Sequence, residues 1–344
     1  MVRRPVSNPE RNRQALLGLA ALFAIGIASW LLFSRAKEAR EAQSRAVEDD
    51  LEMLARIVDG SAIAAMPRDR LVLGASSAYV LLAAPGVIES VPPAGAEIGV
   101  LGRVPAPASD MALGGDSLWV TGGGGVTRVP LDGAPTSLVA AGLSRPHAIA
   151  SDGRWVFVVD VDTAPTGMLR ASRVVRIATS GGAPTVMGSY QGEVTDVALD
   201  GTSAYWGDRL EGTILAVPES GGEPQPLAHD RGLPEQVLVD AKSVYWVEKR
   251  SESLWKMPKA GGAPVQLAQD FAGFAHAVVH GESIAWVNEA AVDGGFRVLS
   301  VPIAGGDVRT VSDTVDAIDA LASDGAHLYW LRGGAVSEVT QEPK

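Results

Sequence analysis

Val197–Pro224 reads VALDGTSAYWGDRLEGTILAVPESGGEP. It opens on a short apolar run, breaks at Asp200-Gly201, and resumes with an aromatic run around Tyr205-Trp206. A third run closes at Val217-Pro218, the pair Gly221-Gly222 follows, and Gln225–His229 makes a fourth. Short β-branched or aromatic runs, separated by Asp, Gly and Ser, are strand and hairpin signals. Glycine accepts the positive φ that tight hairpins need.

The same rise and fall recurs outward in both directions. Leu71 opens LVLGASSAYV, Met111 opens MALGGDSLWV, and Ile149 opens IASDGRWVFV. Val237 opens VLVDAKSVYW, Ala277 opens AVVHGESIAW, and Leu321 opens LASDGAHLYW. With Val197 that makes seven copies, their starts 38 to 48 residues apart. Third runs close at Val91-Pro92, Val129-Pro130, Ile177-Ala178, Met257-Pro258 and Val301-Pro302, each with glycine soon after. Four short antiparallel strands in a period of about forty residues define the blade of a β-propeller. A lone blade cannot bury both faces, so blades must pack around a ring. Tyr205, Trp206, Tyr245, Trp246, Trp286, Tyr329 and Trp330 hold matching places in the second strand, where they fill the space between blades.

The expectation is therefore an all-β, seven-bladed β-propeller, or six blades if the first copy, Leu71–Val104, is not a true blade. The last copy supplies only three strands, ending near Thr340. Residues 61–66, SAIAAM, are placed to add the missing outer strand and close the ring.

Units such as SAYWGD…GTILAVPESGGEPQPLA and SVYWVE…LWKMPKAGGAPVQLA resemble bacterial propeller repeats of the TolB-like and NHL-like kind. The Tyr-Trp pair is also similar to the YWTD propellers of lipoprotein receptors, although Tyr205-Trp206-Gly207-Asp208 lacks the threonine of that motif. The resemblance covers about residues 61–344. It implies the fold and leaves the function open, because propellers host unrelated activities.

One propeller and a leader account for all 344 residues. The absence of cysteine excludes disulfides, thiolate metal sites and a cysteine nucleophile. Residues 1–45 hold eight of the 29 Lys and Arg but three of the 40 Asp and Glu, so the remainder is more acidic than the net −11 of the whole. That balance argues against nucleic acid as a partner.

The leader divides into a basic tail (1–14), an uncharged run ALLGLAALFAIGIASWLLF (15–33), and a charged stretch (34–60). Nineteen residues at about 1.5 Å each just span a hydrocarbon core of about 30 Å. The run exceeds the usual apolar region of a cleaved signal peptide, so it reads as an uncleaved transmembrane signal anchor. Ser34-Arg35-Ala36 keeps cleavage open as an alternative. Residues 36–58 read as a helical stalk with the pairs Lys37–Glu41 and Glu52–Arg56 and an apolar edge of Leu51, Leu54 and Val58. The short basic tail favours a propeller (61–344) on the far side of the membrane, periplasmic in a Gram-negative cell.

In a propeller, residues entering each first strand converge at one mouth of the central channel. Those positions hold Asp69 and Arg70, Asp110, His147, Asp196, Glu235 and Gln236, His276, and Asp319. Asp110, His147, Asp196, Glu235, His276 and Asp319 are the candidate binding residues. Two histidines among carboxylates suit a divalent metal or an acid–base pair, whereas solvated carboxylates at a wet mouth are the plain alternative. His276 and His280 would lie about 13 Å apart along a strand and cannot share a metal. Asp160–Ser172 is the excess of the third copy and reads as a longer loop. Gly122–Gly125 lacks the Lys-Ser/Thr of a phosphate loop, and no GxSxG elbow occurs.

Three functions fit these features. The first is a membrane-anchored module that binds a protein partner, with no resident cofactor. The second is a metal-dependent enzyme of the lactonase or streptogramin-lyase type, which the resemblance to those propellers suggests. The third is a structural subunit of a membrane assembly.

Overall fold

A computed structural model of the chain describes residues 70–339, apart from 76, 93–97, 164–168, 270–272, 289–294, 315–317 and 333–334. The basic tail, the apolar run 15–33, the stretch 34–60, residues 61–66 and Asp69 lie outside the described residues. Every regular element among the described residues is a strand, so no helix there is long and apolar enough to cross a membrane.

The first copy folds as β1 (Arg70–Leu73), β2 (Ala78–Leu82), β3 (Val87–Val91) and β4 (Gly99–Arg103). It is a true four-stranded blade, so the reason for doubting it disappears. The second is β5 (Ala108–Gly114), β6 (Ser117–Gly122), β7 (Gly125–Pro130) and β8 (Ser137–Ala141). The third is β9 (Pro146–Ser151), β10 (Trp155–Thr163), β11 (Leu169–Ala178) and β12 (Thr185–Tyr190). The fourth is β13 (Val194–Leu199), β14 (Ser203–Asp208), β15 (Thr213–Pro218) and β16 (Gln225–Ala228). The fifth is β17 (Pro234–Val239), β18 (Ser243–Glu248), β19 (Ser253–Pro258) and β20 (Val265–Ala268). The sixth is β21 (Phe274–His280), β22 (Ser283–Asn288), β23 (Phe296–Pro302) and β24 (Arg309–Thr314). The last copy gives a sheet of three described strands, β25 (Ala320–Ser323), β26 (Leu328–Arg332) and β27 (Ala335–Val339). All pairings are antiparallel and follow chain order, which makes six complete propeller blades. The three-stranded sheet lies between the sixth and first blades, with β25 beside both β21 and β1.

Local chemistry sets the turns. Asp240 accepts from the backbone N–H of Lys242 and Ser243, both at 2.7 Å, and from the Tyr245 hydroxyl at 2.7 Å. Asp200 does the same for Thr202, Ser203 and Tyr205, each at 2.8 Å. Asp324 repeats it with Ala326, His327 and Tyr329. The recurring Asp–x₄–Tyr spacing is thus a staple that closes the first hairpin and fixes an aromatic ring in one act. At the next turn Gly221, Gly261 and Gly305 have φ of 114°, 93° and 90° and bond back to the carbonyls of Pro218, Pro258 and Pro302.

Packing then follows from the second strands. Trp206, Trp246, Trp286 and Tyr245 are fully buried. Trp206 packs on Phe157 and Val159 of the preceding blade, and Trp286 on Tyr245 and Leu254 of its own predecessor. Each hydrophobic cluster sits between neighbouring sheets, including one that joins Ala320, Ala322 and Leu331 to Leu71 and Val80. Burying one such ring contributes about 4–6 kcal/mol of transfer free energy.

Two departures from expectation matter for function. Asp160–Ser172 is mostly strand, because β10 and β11 extend pairing as far as Thr163 and Leu169. The excess is therefore a long hairpin rather than a loop. In addition, all six fourth strands slip register by one residue, as between Val126–Ala140 and Thr127–Leu138 or Leu254–Ala268 and Trp255–Gln266. A bulge on an outer strand blunts an edge that would otherwise pair with another sheet.

Candidate functional site at the channel mouth

Because each first strand runs away from the mouth and each second strand returns to it, one face collects three features. These are the starts of the inner strands, the hairpins between second and third strands, and the loops from blade to blade. The long β10–β11 hairpin is on this face.

The inner strands do not enter the ladder smoothly. In β9, Pro146 faces Asp160 and Ala148 faces Val159, which leaves His147 as the extra residue. In β17, Pro234 faces Glu248 and Gln236 faces Val247, leaving Glu235. In β13 the register jumps from Val194–Asp208 to Val197–Trp206 across Thr195 and Asp196. In β21 it jumps from Ala275–Val287 to Val278–Ala285 across His276 and Ala277, and His276 has φ +49°. Four of the six candidate residues therefore stand in bulges. A bulge re-aims side chains away from the pleat.

The carboxylates are not merely solvated, as the plain reading had it. Asp110 accepts from Arg70 Nε at 2.8 Å and from Met111 N at 2.9 Å, and its other oxygen accepts from Ile149 N of the next blade at 3.1 Å. Asp196 accepts from Val197 N at 2.8 Å and from Val237 N of the next blade at 3.2 Å. Gln236 completes the series: Oε1 accepts from Ala277 N and Nε2 donates to Ala277 O, both at 2.9 Å. Thr195 Oγ1 donates to the Glu235 carbonyl. In the second, fourth and fifth copies the residue before the repeat start thus clasps the inner strand of the following blade.

The structure brings Asp110, His147 and Asp196 within electrostatic reach of one another. Burial pushes the Asp196 carboxyl up to about 7, with the Asp110 charge adding to it. Burial pulls His147 down to about 4 against the opposing pull of Asp110, so the ring is neutral at pH 7. Both ring nitrogens are buried, and the backbone of Thr195 and Val194 partly offsets the effect of that burial on the ring. His276 lies farther round the ring beside the Gln236 clasp on Ala277. Asp319 enters β25 with its N–H on the Leu331 carbonyl at 2.9 Å. His280 is at the other end of β21, with Nδ1 2.9 Å from Ser323 Oγ.

Sequence reasoning missed a buried charge network beside this ring. Arg209, 6 % exposed, donates to Glu193 Oε2 at 2.8 Å and lies 3.8 Å from Glu235 Oε2. Burial raises the Glu193 carboxyl, while Arg209 opposes the shift. Asp160, fully buried, accepts from Arg145 N at 2.9 Å and pairs with Arg173. Glu248 pairs with Arg231 at 3.1 Å and accepts from Trp246 Nε1 at 3.0 Å. The signal was present at the ends of the second strands, where Asp160, Asp208 and Glu248 occupy one repeat position and Arg209 and Lys249 follow two of them. Among the described residues, no group of three or more His, Asp or Glu could hold a metal ion.

The fold and mouth define a β-propeller whose inner strands are tied blade to blade by side chains. No family model matches the sequence, and no curated protein does either. Solved structures do match. A catalytically inactive virginiamycin B lyase from Staphylococcus aureus, crystallised with quinupristin, has a TM-score of 0.63 at 11 % identity, over 80 % of this chain and 95 % of that one. An oligogalacturonate lyase in complex with manganese scores 0.59 at 11 % identity, over 76 % and 84 % of the two chains. BamB from Moraxella catarrhalis scores 0.50 at 15 % identity, over 78 % and 82 %. At these identities the likeness is one of fold.

Proposed function

We propose that the chain is a membrane-anchored, extracytoplasmic β-propeller that binds a protein partner on its outer rim. In this reading residues 15–33 are the anchor and 34–60 a stalk. The three-stranded sheet is the seventh blade, with residues 61–66 as its fourth strand.

The observation that carries the reading is an asymmetry in the fourth strands. Val100, Leu138 and Val186 hold the same place after the bulge in the first three blades, and each is more than half exposed. The equivalent places in the next three blades are Pro226, Gln266 and Thr310. Ile98 adds to the apolar side in the first blade, and Val265 is the apolar exception in the fifth. Large apolar side chains kept in water on one sector of a rim support a contact surface.

The enzyme reading has its support in the lyase structures that share the fold. Against it stand the clasps, which already employ Asp110 and Asp196 in holding neighbouring blades.

The test is a comparison of the full-length chain with a Leu138→Glu, Val186→Glu variant, both taken from native membranes in mild detergent. Both side chains are exposed, so the variant should unfold at the wild-type temperature. It should lose a protein that co-purifies stoichiometrically with the wild type. A partner retained equally by both moves the contact off the rim. Turnover that vanishes in His147→Ala, with no partner in either preparation, establishes the enzyme instead.

A further inference from the structure

We propose that the seam between the third and fourth blades, on the face opposite the mouth, is a pH-sensitive latch: Asp152 and Glu219 share one proton across it, and the seam slackens when that proton leaves. The inference goes beyond the partner reading and does not rest on it.

The latch follows from a place that recurs in the repeat. In the fourth, fifth and sixth blades the residue after the third strand donates its backbone N–H to the hairpin between the first two strands. Glu219 bonds the Thr202 carbonyl at 2.9 Å, Lys259 that of Lys242 at 2.9 Å, and Ile303 that of Glu282 at 2.8 Å. From this place Lys259 reaches back to the preceding blade and meets Asp200 at 2.6 Å. Asp152 is the counterpart of Asp200, each the fourth residue of its copy. Glu219 is the counterpart of Lys259, and its side chain hydrogen-bonds Asp152 across the seam. A salt bridge thus joins the fourth blade to the fifth, and a pair of acids joins the third to the fourth.

Two carboxyls in a hydrogen bond need a proton between them. Their surroundings decide which one holds it. Asp152 Oδ1 accepts from Trp155 N at 2.6 Å and from Arg154 N at 2.8 Å. Against the effect of burial, these bonds hold its carboxyl below the usual range. Glu219 is 6 % exposed, and its Oε1 accepts from Gly201 N at 3.1 Å. Burial, then the bond and charge of Asp152, push the Glu219 carboxyl up to about 7. The proton therefore belongs to Glu219, which donates to Asp152.

The other charges nearby do not take its place. Asp200 adds negative charge, and its own partners are Lys259 and the Tyr205 hydroxyl. Arg176 donates to the Glu219 backbone carbonyl and lies 4.2 Å over the Trp155 ring, while Arg154 lies 5.4 Å over the same ring. A carboxyl raised by folding from 4.5 to about 7 stabilises the fold fully below its ordinary value, and that contribution is lost as pH rises through about 7. Above that pH two carboxylates repel each other across the seam.

The test compares the full-length chain with Glu219→Gln at pH 5 and pH 8. The amide keeps an oxygen for Gly201 and offers Asp152 an N–H at every pH. Relative to the wild type, the variant should melt several degrees higher at pH 8 and lose that advantage at pH 5. Groups that titrate elsewhere, Asp196 and His147 among them, are common to both chains and cancel in the difference. Glu219→Lys copies the Lys259–Asp200 pair and should show the same pH-dependent gain, so it carries the test if the amide variant does not fold. The second measurement is local. With 13C at the glutamate carboxyls, the Glu219 signal, assigned by its absence from either variant, should titrate near pH 7. Asp152→Asn should bring its midpoint down. A stability difference that is the same at pH 5 and pH 8, or a Glu219 signal that titrates at the ordinary value, overturns the proposal.

Discussion

Asp196 concentrates the physical tension of the mouth in one side chain. Its carboxyl anchors Val237 of the next blade, yet burial and the Asp110 charge push its pKa up to about 7. A group whose folded pKa lies above its unfolded value binds a proton more tightly when folded. Between pH 4 and 7 the unfolded chain has released that proton while the folded chain still holds it, so stability falls as pH rises through this window and levels off above it. Allowing for water in the channel, the change from this group should be about 1–2 kcal/mol. Asp196→Asn removes the titration, and the neighbouring Gln236 shows that an amide can serve this position. The lowered His147 pulls the other way over part of this window, so the reading is a difference: the stability of the wild type relative to the variant should fall from pH 4 to 7 in chemical denaturation. Equal slopes would show that Asp196 does not titrate in this range. At this scale the sequence was informative about identity and uninformative about role. The repeat alignment named Asp110, Asp196 and Glu235 as mouth residues, but whether a carboxylate faces water or the next strand depends on a bulge, and a bulge leaves no mark on hydrophobic periodicity.

At the scale of the element, the turns rich in Asp, Gly and Ser were legible because they repeat in the letters themselves, whereas the bond from each aspartate to the tyrosine five residues on was not read from them. Asp240 to Tyr245, Asp200 to Tyr205 and Asp324 to Tyr329 share one spacing, and the structure gives all three the same hydrogen bonds. Asp240→Ala leaves two turn N–H groups and the hydroxyl of a fully buried tyrosine without their acceptor. The loss should be about 2–3 kcal/mol. Adding Tyr245→Phe removes the orphaned hydroxyl, so the double variant should recover part of that loss in chemical denaturation. If the second substitution only adds to the damage, the tyrosine hydroxyl was not the group left in need. The third-strand endings were equally plain: β7, β15, β19 and β23 all finish on the proline that the sequence marks. The Glu193–Arg209–Glu235 network was not legible. Its members come from the loop before β13, the residue after β14 and the start of β17, three places that meet only after blades pack.

For the whole molecule, the governing question is how the ring is held shut. Non-polar packing joins the three-stranded sheet to the first blade, through Ala320, Ala322 and Leu331 against Leu71 and Val80. Six sheets carry an outer fourth strand, whereas β27 has none among the described residues. A strand from residues 61–66 would pair β27 with the part of the chain that leads directly into β1. It would tie the two ends of the propeller by backbone hydrogen bonds and close a loop of nearly the whole domain. The pairing exists only in the folded ring, so it stabilises by satisfying the open edge of β27, offset by the entropy of bringing the distant ends together. Two truncations separate this from a passive leader. A chain beginning at residue 61 should unfold at nearly the temperature of the full-length protein. One beginning at residue 67 loses only six more residues, yet should melt several degrees lower and expose β27 to proteolysis and self-association. If both truncations unfold alike, the ring is closed by side-chain packing between the last sheet and the first blade, and residues 61–66 belong to the linker.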